Sequence, residues 1–179
     1  VIGFIQRELT DPAGGFYSAI DADSEGEEGK YYVWTRDEVI QVLGKEDGEW
    51  WNHYYDITDR GNFVGNSLPN LLGVDFHLSA SGVAEALGLD REEGEERLRL
   101  MKERLLQARE RRTPPHKDDK MLTSWNALTI AALARASAVF KRQDWLMMAE
   151  KGLHFIHHNL VREHDCRLLA RYRDGEAEH

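Results

Sequence analysis

The sequence has a single cysteine, Cys166, and only four prolines among its 179 residues. One thiol cannot form a disulfide within the chain, which fits a reducing compartment, and we predict a cytoplasmic location. No apolar run approaches the roughly 20 residues that are needed to cross a bilayer. No segment combines the charged and apolar regions of a signal peptide. The sequence therefore predicts no membrane association.

Acidic residues outnumber basic residues: the sequence has 32 Asp and Glu but 23 Lys and Arg, which gives a net charge of −9. This balance disfavours nucleic acid as a partner, because binding to it depends on neutralising phosphates with Lys and Arg. The densest charge run, residues 91–112, mixes both signs around an apolar stripe, so we interpret it as the solvated face of a helix. An apolar content of 41% with five Trp predicts a packed globular chain.

Apolar periodicity predicts a mainly α chain. Thr35 with Glu38 forms a capping-box pattern, and Pro114–Pro115 marks a helix end. The helix over 124–140 is apolar nearly all round, which predicts burial on both sides, whereas its neighbours are amphipathic. Such alternation is typical of a ring of helical hairpins with inner and outer helices. The predicted helices cover residues 1–9, 35–44, 47–55, 81–87, 90–112, 124–140 and 143–160.

The segment DADSEGEEGK, residues 21–30, carries five carboxylates and is followed at once by YYVW. Short runs at 18–23 and 30–35 flank its glycines, so we predict a β-hairpin. Its first positions match a calcium-binding EF-hand loop, but the twelfth position, which needs Glu, is Tyr32. We therefore predict no EF-hand; a looser oxygen-ligand site, a sugar site or a solvated turn remain open.

Aromatic rings beside these acids favour the sugar site. Alternate strand residues share a face, so Tyr17 lies on the same face as Asp21 and Asp23. Flat rings stack on the C–H faces of sugars while carboxylates hold hydroxyl groups. We therefore name Tyr17, Tyr31 and Trp34 as candidate substrate-binding residues. The alternative is that these rings only pack the hairpin against the helices.

Two further motifs carry candidate residues. HKDDKMLTSWN places His116 and two adjacent carboxylates before the apolar helix, although helix capping alone explains one of those carboxylates. RGNFVGN has two glycines that would shape a loop around Asn62. We name His116, Asp118 and Asp119 as candidate catalytic residues beside Asp21 and Asp23. The candidate binding residues from these motifs are Asn62, Trp125 and Asn126.

Three motifs resemble one known family. GGFYSAIDADSEGEEGKYYVW, GNFVGN and HKDDKMLTSWNAL are similar to the spermatogenesis-associated, thioredoxin-like proteins. The resemblance implies an N-terminal thioredoxin-like domain followed by an (α/α)6 toroid of the six-hairpin glycosidase type. Residues 1–179 would form a fragment of that toroid, with a small β-hairpin insertion and without the thioredoxin-like domain. The chain departs from the family's usual pattern at Val64, Asn66 and Ala127, and the first change argues against a catalytic carboxylate there.

The resemblance leaves two hypotheses about function. A carbohydrate-active enzyme would pair an acid from the first motif with Asp118 or Asp119 at roughly 5 to 9.5 Å for hydrolysis, or use His116 as the base of an epimerase. A non-catalytic module would bind a glycan or a protein beside the redox domain. We predict no metal and no cofactor, an inactive fragment and a common rim for the acidic and aromatic candidates. We also expect self-association through the exposed part of the apolar helix.

Overall fold

A computed structural model describes residues 1–71, 84 and 88–178. Six helices and nine short strands fall within these residues, so the chain is mainly α, as predicted. The chain divides into two compact units. The discontinuous unit comprises Val1–Asp21 and His116–His179, and the central unit comprises Ala22–Pro115. The helix predicted over 81–87 lies, except for Ala84, outside the described residues.

Three helices of the central unit confirm the sequence-based boundaries closely. They are α2 (Arg36–Leu43), α3 (Lys45–Tyr54) and α4 (Arg91–Glu110). The Thr35 side chain accepts a hydrogen bond from the Glu38 backbone, and Glu38 reciprocates, so the predicted capping box is present. Asp90 and Glu93 cap α4 in the same way. The core of the unit consists of Trp34, Val39, Leu43, Trp51, Ile57, Met101 and Leu105.

The predicted hairpin is smaller than its sequence suggested. Strands β2 (Asp23–Ser24) and β3 (Glu27–Glu28) pair antiparallel. The two turn residues, Glu25 and Gly26, have φ values of 53° and 78°. Positive φ at both central positions is typical of a type I′ turn, whose twist matches the two strands that it joins. The hairpin therefore closes entirely within the acidic segment.

The wider pairing of 18–23 with 30–35 was wrong. Strand β1 (Ala19–Ile20) pairs instead with β4 (Lys117–Asp118), and residues 29–32 form a turn. Trp34 then exchanges backbone hydrogen bonds with Ser67, at 2.8 and 2.9 Å. The physical reason is that the tight turn pairs the backbone groups of the acidic segment with one another. The aromatic residues that follow are therefore not needed as strand partners, and they pack into the core of the central unit.

The discontinuous unit packs three helices with short antiparallel strands. Phe16, Leu133 and Ala149 form one of its apolar clusters. A second cluster includes Met121 and Phe155. None of the helices in the described residues is both long enough and apolar enough to cross a membrane. The elements are α1 (Ile2–Glu8), β1 and β4, β5 (Met121–Leu122), α5 (Thr123–Phe140), α6 (Gln143–Asn159), β6 (Val161–Arg162), β7 (Arg167–Leu168), β8 (Arg171–Arg173) and β9 (Glu176–Glu178).

Helix α5 is buried on one side only, so the prediction of burial on both sides was wrong for this chain. Leu133 is 2% exposed on the packed side, which faces α6. On the other side Trp125, Leu128 and Val139 are 53%, 70% and 74% exposed. Among the described residues, these three side chains therefore remain largely open to solvent. This leaves an apolar stripe along the helix.

Candidate functional site

The pairing of β1 with β4 brings the first and second sequence motifs together in the discontinuous unit. Ala19 lies opposite Asp118, and Ile20 lies opposite Lys117. One step further, the backbone N–H of Asp21 donates to the carbonyl of His116 at 2.7 Å. Asp21 and His116 are both exposed. Four candidate residues from distant motifs therefore lie along one short ladder, with Asp119 following Asp118.

Tyr17 lies beside this ladder with its hydroxyl already engaged. The hydroxyl donates a short hydrogen bond to the Asp11 carboxylate, and the Lys117 ammonium lies 5.2 Å from the ring centroid. Burial raises the pKa of Tyr17 to about 12, and the Asp11 hydrogen bond and the charges of Asp11 and Asp119 add to the effect. The phenol therefore stays protonated near neutral pH and serves as a hydrogen-bond donor, not as a base.

The two adjacent carboxylates of the second motif are each paired with a cation. Lys120 Nζ lies 3.1 Å from Asp118 Oδ2, and the Lys120 backbone N–H donates to Asp118 Oδ1 at 3.2 Å. These hydrogen bonds, the backbone one first, lower the pKa of Asp118. Arg173 Nε lies 2.8 Å from Asp119 Oδ1. Asp118 thus stays ionised near neutral pH, which is the opposite of what a general acid requires.

Asn126 and Trp125 differ sharply in exposure although they are neighbours. Asn126 is 1% exposed, and its Oδ1 accepts from the Phe16 backbone at 2.7 Å. Its Nδ2 donates to the carbonyls of Phe16 and Leu122 at 2.9 and 3.0 Å. The amide therefore ties the Phe16 segment to the start of α5. Trp125 is half-exposed and accessible, and substrate roles for both residues stay predictions.

The central unit contains a polar cleft of about 500 Å³ beneath the acidic hairpin. Lys30 Nζ lies 2.9 Å from Glu27 Oε1 and 3.5 Å from Glu25 Oε2, so one cation is paired with two carboxylates on this side. Tyr31 and Val33, which are 7% and 8% exposed, also line the cleft. The full lining is Ser24, Glu25, Glu27, Lys30, Tyr31, Val33, Thr35, Glu38, Asn66, Arg111, Arg112 and Thr113.

At one end of the cleft, Arg112 links the segment at Tyr31 and Val33 to Glu38. Its Nη1 donates to the carbonyls of Val33 and Tyr31 at 2.6 and 3.3 Å, and Nη2 donates to Glu38 Oε1 at 3.3 Å. The guanidinium also lies 4.1 Å from the centroid of the Trp34 ring, a cation–π distance. One arginine thereby fixes the turn that carries the aromatic residues and links it to the cap of α2.

Of the remaining candidates of the central unit, three make packing contacts or hydrogen bonds within the fold and one is exposed. Tyr31 and Trp34 are each 7% exposed, so their rings mainly pack the turn against the core. The Asn62 amide accepts from the Leu68 backbone N–H at 2.8 Å and donates to the Leu68 carbonyl at 3.0 Å. Asp23 is exposed on β2. Contacts of these four residues with a substrate stay predictions.

The candidates for one common rim belong to different units. Asp21, Asp118, Asp119 and Trp125 belong to the discontinuous unit, whereas Asp23 and Trp34 belong to the central unit. The common rim therefore stays a prediction. Within the discontinuous unit the ladder links Asp21, His116 and Asp118.

Sequence analysis missed Arg112, because the whole run 91–112 was interpreted as a solvated face. The signal was present: Leu98, Met101, Leu105 and Ala108 define a stripe at helical spacing, and Arg112 occupies its next position. Arg112 lies two residues beyond the end of α4, where its partly buried cation needs partners, and these are carbonyls, a carboxylate and an aromatic ring. Asp11, which accepts the hydrogen bond of the Tyr17 hydroxyl, was likewise not among the candidate residues.

We expect Arg112→Met to lower the free energy of unfolding by about 2 kcal/mol, because buried carbonyls lose a charged donor. Urea denaturation followed by circular dichroism measures the change. The matched control is Arg111→Met, at an exposed position on the same cleft, which should stay within about 0.5 kcal/mol of the unmodified chain. If both variants lower the free energy of unfolding equally, the contacts of Arg112 do not contribute specifically to stability.

The chain matches a region of several known proteins. It is 34% identical over 191 residues to human spermatogenesis-associated protein 20, and the match covers 94% of this chain and 24% of the human protein. The mouse protein of the same name is 32% identical, over 87% of this chain and 22% of its own length. An uncharacterized protein of Caenorhabditis elegans is also 32% identical, over 84% of this chain and 23% of its own length.

No family model matches the chain. The chain spans about a quarter of the length of the curated relatives that it matches. The matches cover 84% to 94% of the present sequence at 32% to 34% identity. The chain is therefore similar to one region of spermatogenesis-associated protein 20.

Proposed function

We propose that this chain is a carbohydrate-binding region and that the cleft of the central unit is its binding site. The observation that carries the proposal is the composition of the cleft, which is lined by Lys30 and three glutamates together with Tyr31 and Val33. Sugars present hydroxyl groups around their edges and C–H groups on their faces, so they suit a site with polar edges and an apolar wall. A volume of about 500 Å³ accommodates a mono- or disaccharide.

Binding without turnover is the form of this function that the geometry favours. A hydrolase or epimerase role would use the ladder of the discontinuous unit, with Asp118 or Asp119 as the acid or His116 as the base. Glycoside hydrolysis needs one protonated carboxyl group near neutral pH. The hydrogen bonds from Lys120 lower the pKa of Asp118, so the environment of Asp118 opposes that requirement.

The architecture that we propose for the longer relatives is the (α/α)6 toroid of the six-hairpin glycosidase type. Helices α2 and α3 are consecutive and pack together, as do α5 and α6, which is compatible with a series of helical hairpins. In this proposal the toroid binds a glycan and a thioredoxin-like domain of the same longer chain acts beside it. The cytoplasmic location also stays a prediction.

Saturation-transfer NMR with a panel of neutral mono- and disaccharides tests the proposal. We expect binding that Lys30→Ala weakens about tenfold, because one charged hydrogen-bond donor is lost from the cleft wall. The matched control is Lys45→Ala, at an exposed lysine outside the cleft, which should bind as the unmodified chain does. No transfer to any sugar, or equal weakening in both variants, would refute the proposed site.

A further inference from the structure

A second cavity of the central unit lies beside the start of α2, one face of α3 and the loop that comes after α3. Its volume is about 300 Å³, which suits a small molecule. It shares no lining residue with the polar cleft, so a ligand bound here would be independent of the proposed carbohydrate site. The lining residues are Arg36, Glu49, Asn52, His53, Asp56, Ile57 and Thr58.

Asn52 is the unusual group of this cavity. It is 2% exposed, and its Nδ2 donates to the Arg36 carbonyl at 3.1 Å. Its Oδ1, however, has no hydrogen-bond partner in the part of the chain that the structure describes. A buried amide oxygen without a donor is destabilising, and native proteins rarely leave one so. A ligand that donates a hydrogen bond would satisfy this acceptor.

The charges around the cavity favour a cationic donor. Glu49 Oε2 lies 2.6 Å from Arg36 Nη2, and Asp59 Oδ2 lies 3.6 Å from Arg36 Nη1, so the guanidinium is already neutralised. Asp56 adds a further carboxylate on the cavity wall. Asn70 Nδ2 donates to Asp56 Oδ2 over a long 3.4 Å, which leaves the carboxylate charge without compensation from that amide. The residues that line the cavity therefore carry negative charge in excess, and they include Asn52 with its unsatisfied oxygen.

We propose that this cavity binds the primary ammonium group of a small amino alcohol or amino sugar. The ammonium donates one hydrogen bond to Asn52 Oδ1, and the Asp56 carboxylate supplies its counter-charge. An ammonium fits better than a divalent cation because Glu49 is already paired with Arg36, and the single charge of Asp56 balances a single positive charge, whereas calcium and magnesium require several oxygen ligands. The remaining lining groups, Thr58 and His53, are polar partners for hydroxyls of the ligand.

Titration of the ¹⁵N-labelled chain, followed through the side-chain amide signals of Asn52, tests the proposal. Ethanolamine should shift these signals in a saturable way, whereas ethylene glycol, which has a hydroxyl in place of the ammonium, should not. Glucosamine and glucose repeat the comparison on a sugar ring and separate an amino sugar from an amino alcohol as the tighter ligand. Equal responses to the neutral probes or to calcium chloride, or no response to either amine, would overturn the proposal.

Asp56→Asn is the decisive variant, since it removes the counter-charge while keeping the side-chain shape. Asp56 has a φ of 54°, a conformation that asparagine also adopts readily, so the loop should keep its fold. We expect the ethanolamine dissociation constant to rise about tenfold. Asp37→Asn, at an exposed position of α2 outside the cavity, is the matched control and should leave it unchanged. An unchanged constant in Asp56→Asn would contradict the assigned role.

Discussion

Replacing Asn126 with alanine is expected to lower the free energy of unfolding by about 3 to 4 kcal/mol. The substitution removes one acceptor and two donors at once, and it leaves the backbone N–H and carbonyl of Phe16 without partners. Each buried polar group left unsatisfied costs about 1 to 3 kcal/mol. Urea denaturation monitored by circular dichroism measures the loss, which should be among the largest of any polar substitution in the discontinuous unit.

Asn159→Ala provides the matched control for this experiment. Asn159 is only half-buried, and its amide donates one hydrogen bond, to the Phe155 carbonyl one turn earlier at 3.0 Å. The same chemical change should therefore cost about 1 kcal/mol or less there. If the two variants unfold at the same urea concentration, the Asn126 amide does not hold the Phe16 segment, and the start of α5 depends on apolar packing alone.

The helices could be predicted from sequence because their signals are local. Two helix starts are determined by capping boxes, each of which spans only four residues of sequence. They are Thr35 with Glu38 and Asp90 with Glu93. Proline at 114 and 115 limits the end of α4, since the ring removes a backbone donor and restricts the residue before it. In each case the atoms that determine the boundary are close neighbours along the chain.

The strand pairings could not be predicted because their partners are distant. Strands of two residues are too short to show an alternating pattern, so β1 carried no sign that Lys117 and Asp118 would be its partners. Phe16 and Asn126 are separated by 110 residues, yet their backbone and side-chain groups satisfy one another in both directions. Only the tertiary fold determines which backbone groups need an amide at that point.

The candidate site likewise combines a local signal, which the sequence shows, with distant partners, which only the fold shows. Sequence alone identified Asp118 and Asp119 as unusual, and the structure places both beside the first motif. Their chemistry is determined by Lys120 and Arg173, and the second of these comes from a strand near the far end of the sequence. A carboxylate pair in a motif therefore identifies a place in the fold, whereas a neighbouring group such as Lys120 decides whether Asp118 can stay protonated.

We expect the chain to self-associate through the exposed stripe of α5. Trp125, Leu128 and Val139 lie on one side of the helix at helical spacing, and each is more than half exposed. An apolar groove of about 340 Å³ between α1 and α5 adjoins the stripe at Leu128. Soluble monomers rarely leave a continuous apolar patch of several hundred Å² in water. Covering it gains about 25 cal/mol per Å², which provides a strong drive for association.

Leu128→Glu should weaken this association about a hundredfold, or about 2.8 kcal/mol. The reason is that it places a charge on the apolar stripe, which association would bury. Sedimentation velocity over a range of concentrations measures the change. Leu100→Glu is the matched control: Leu100 is an exposed leucine of α4 in the central unit, and the charge there should leave the association constant unchanged. A compact monomer of 20.6 kDa at the highest concentration would contradict the prediction. It would mean that the stripe on α5 is tolerated in water without a partner surface.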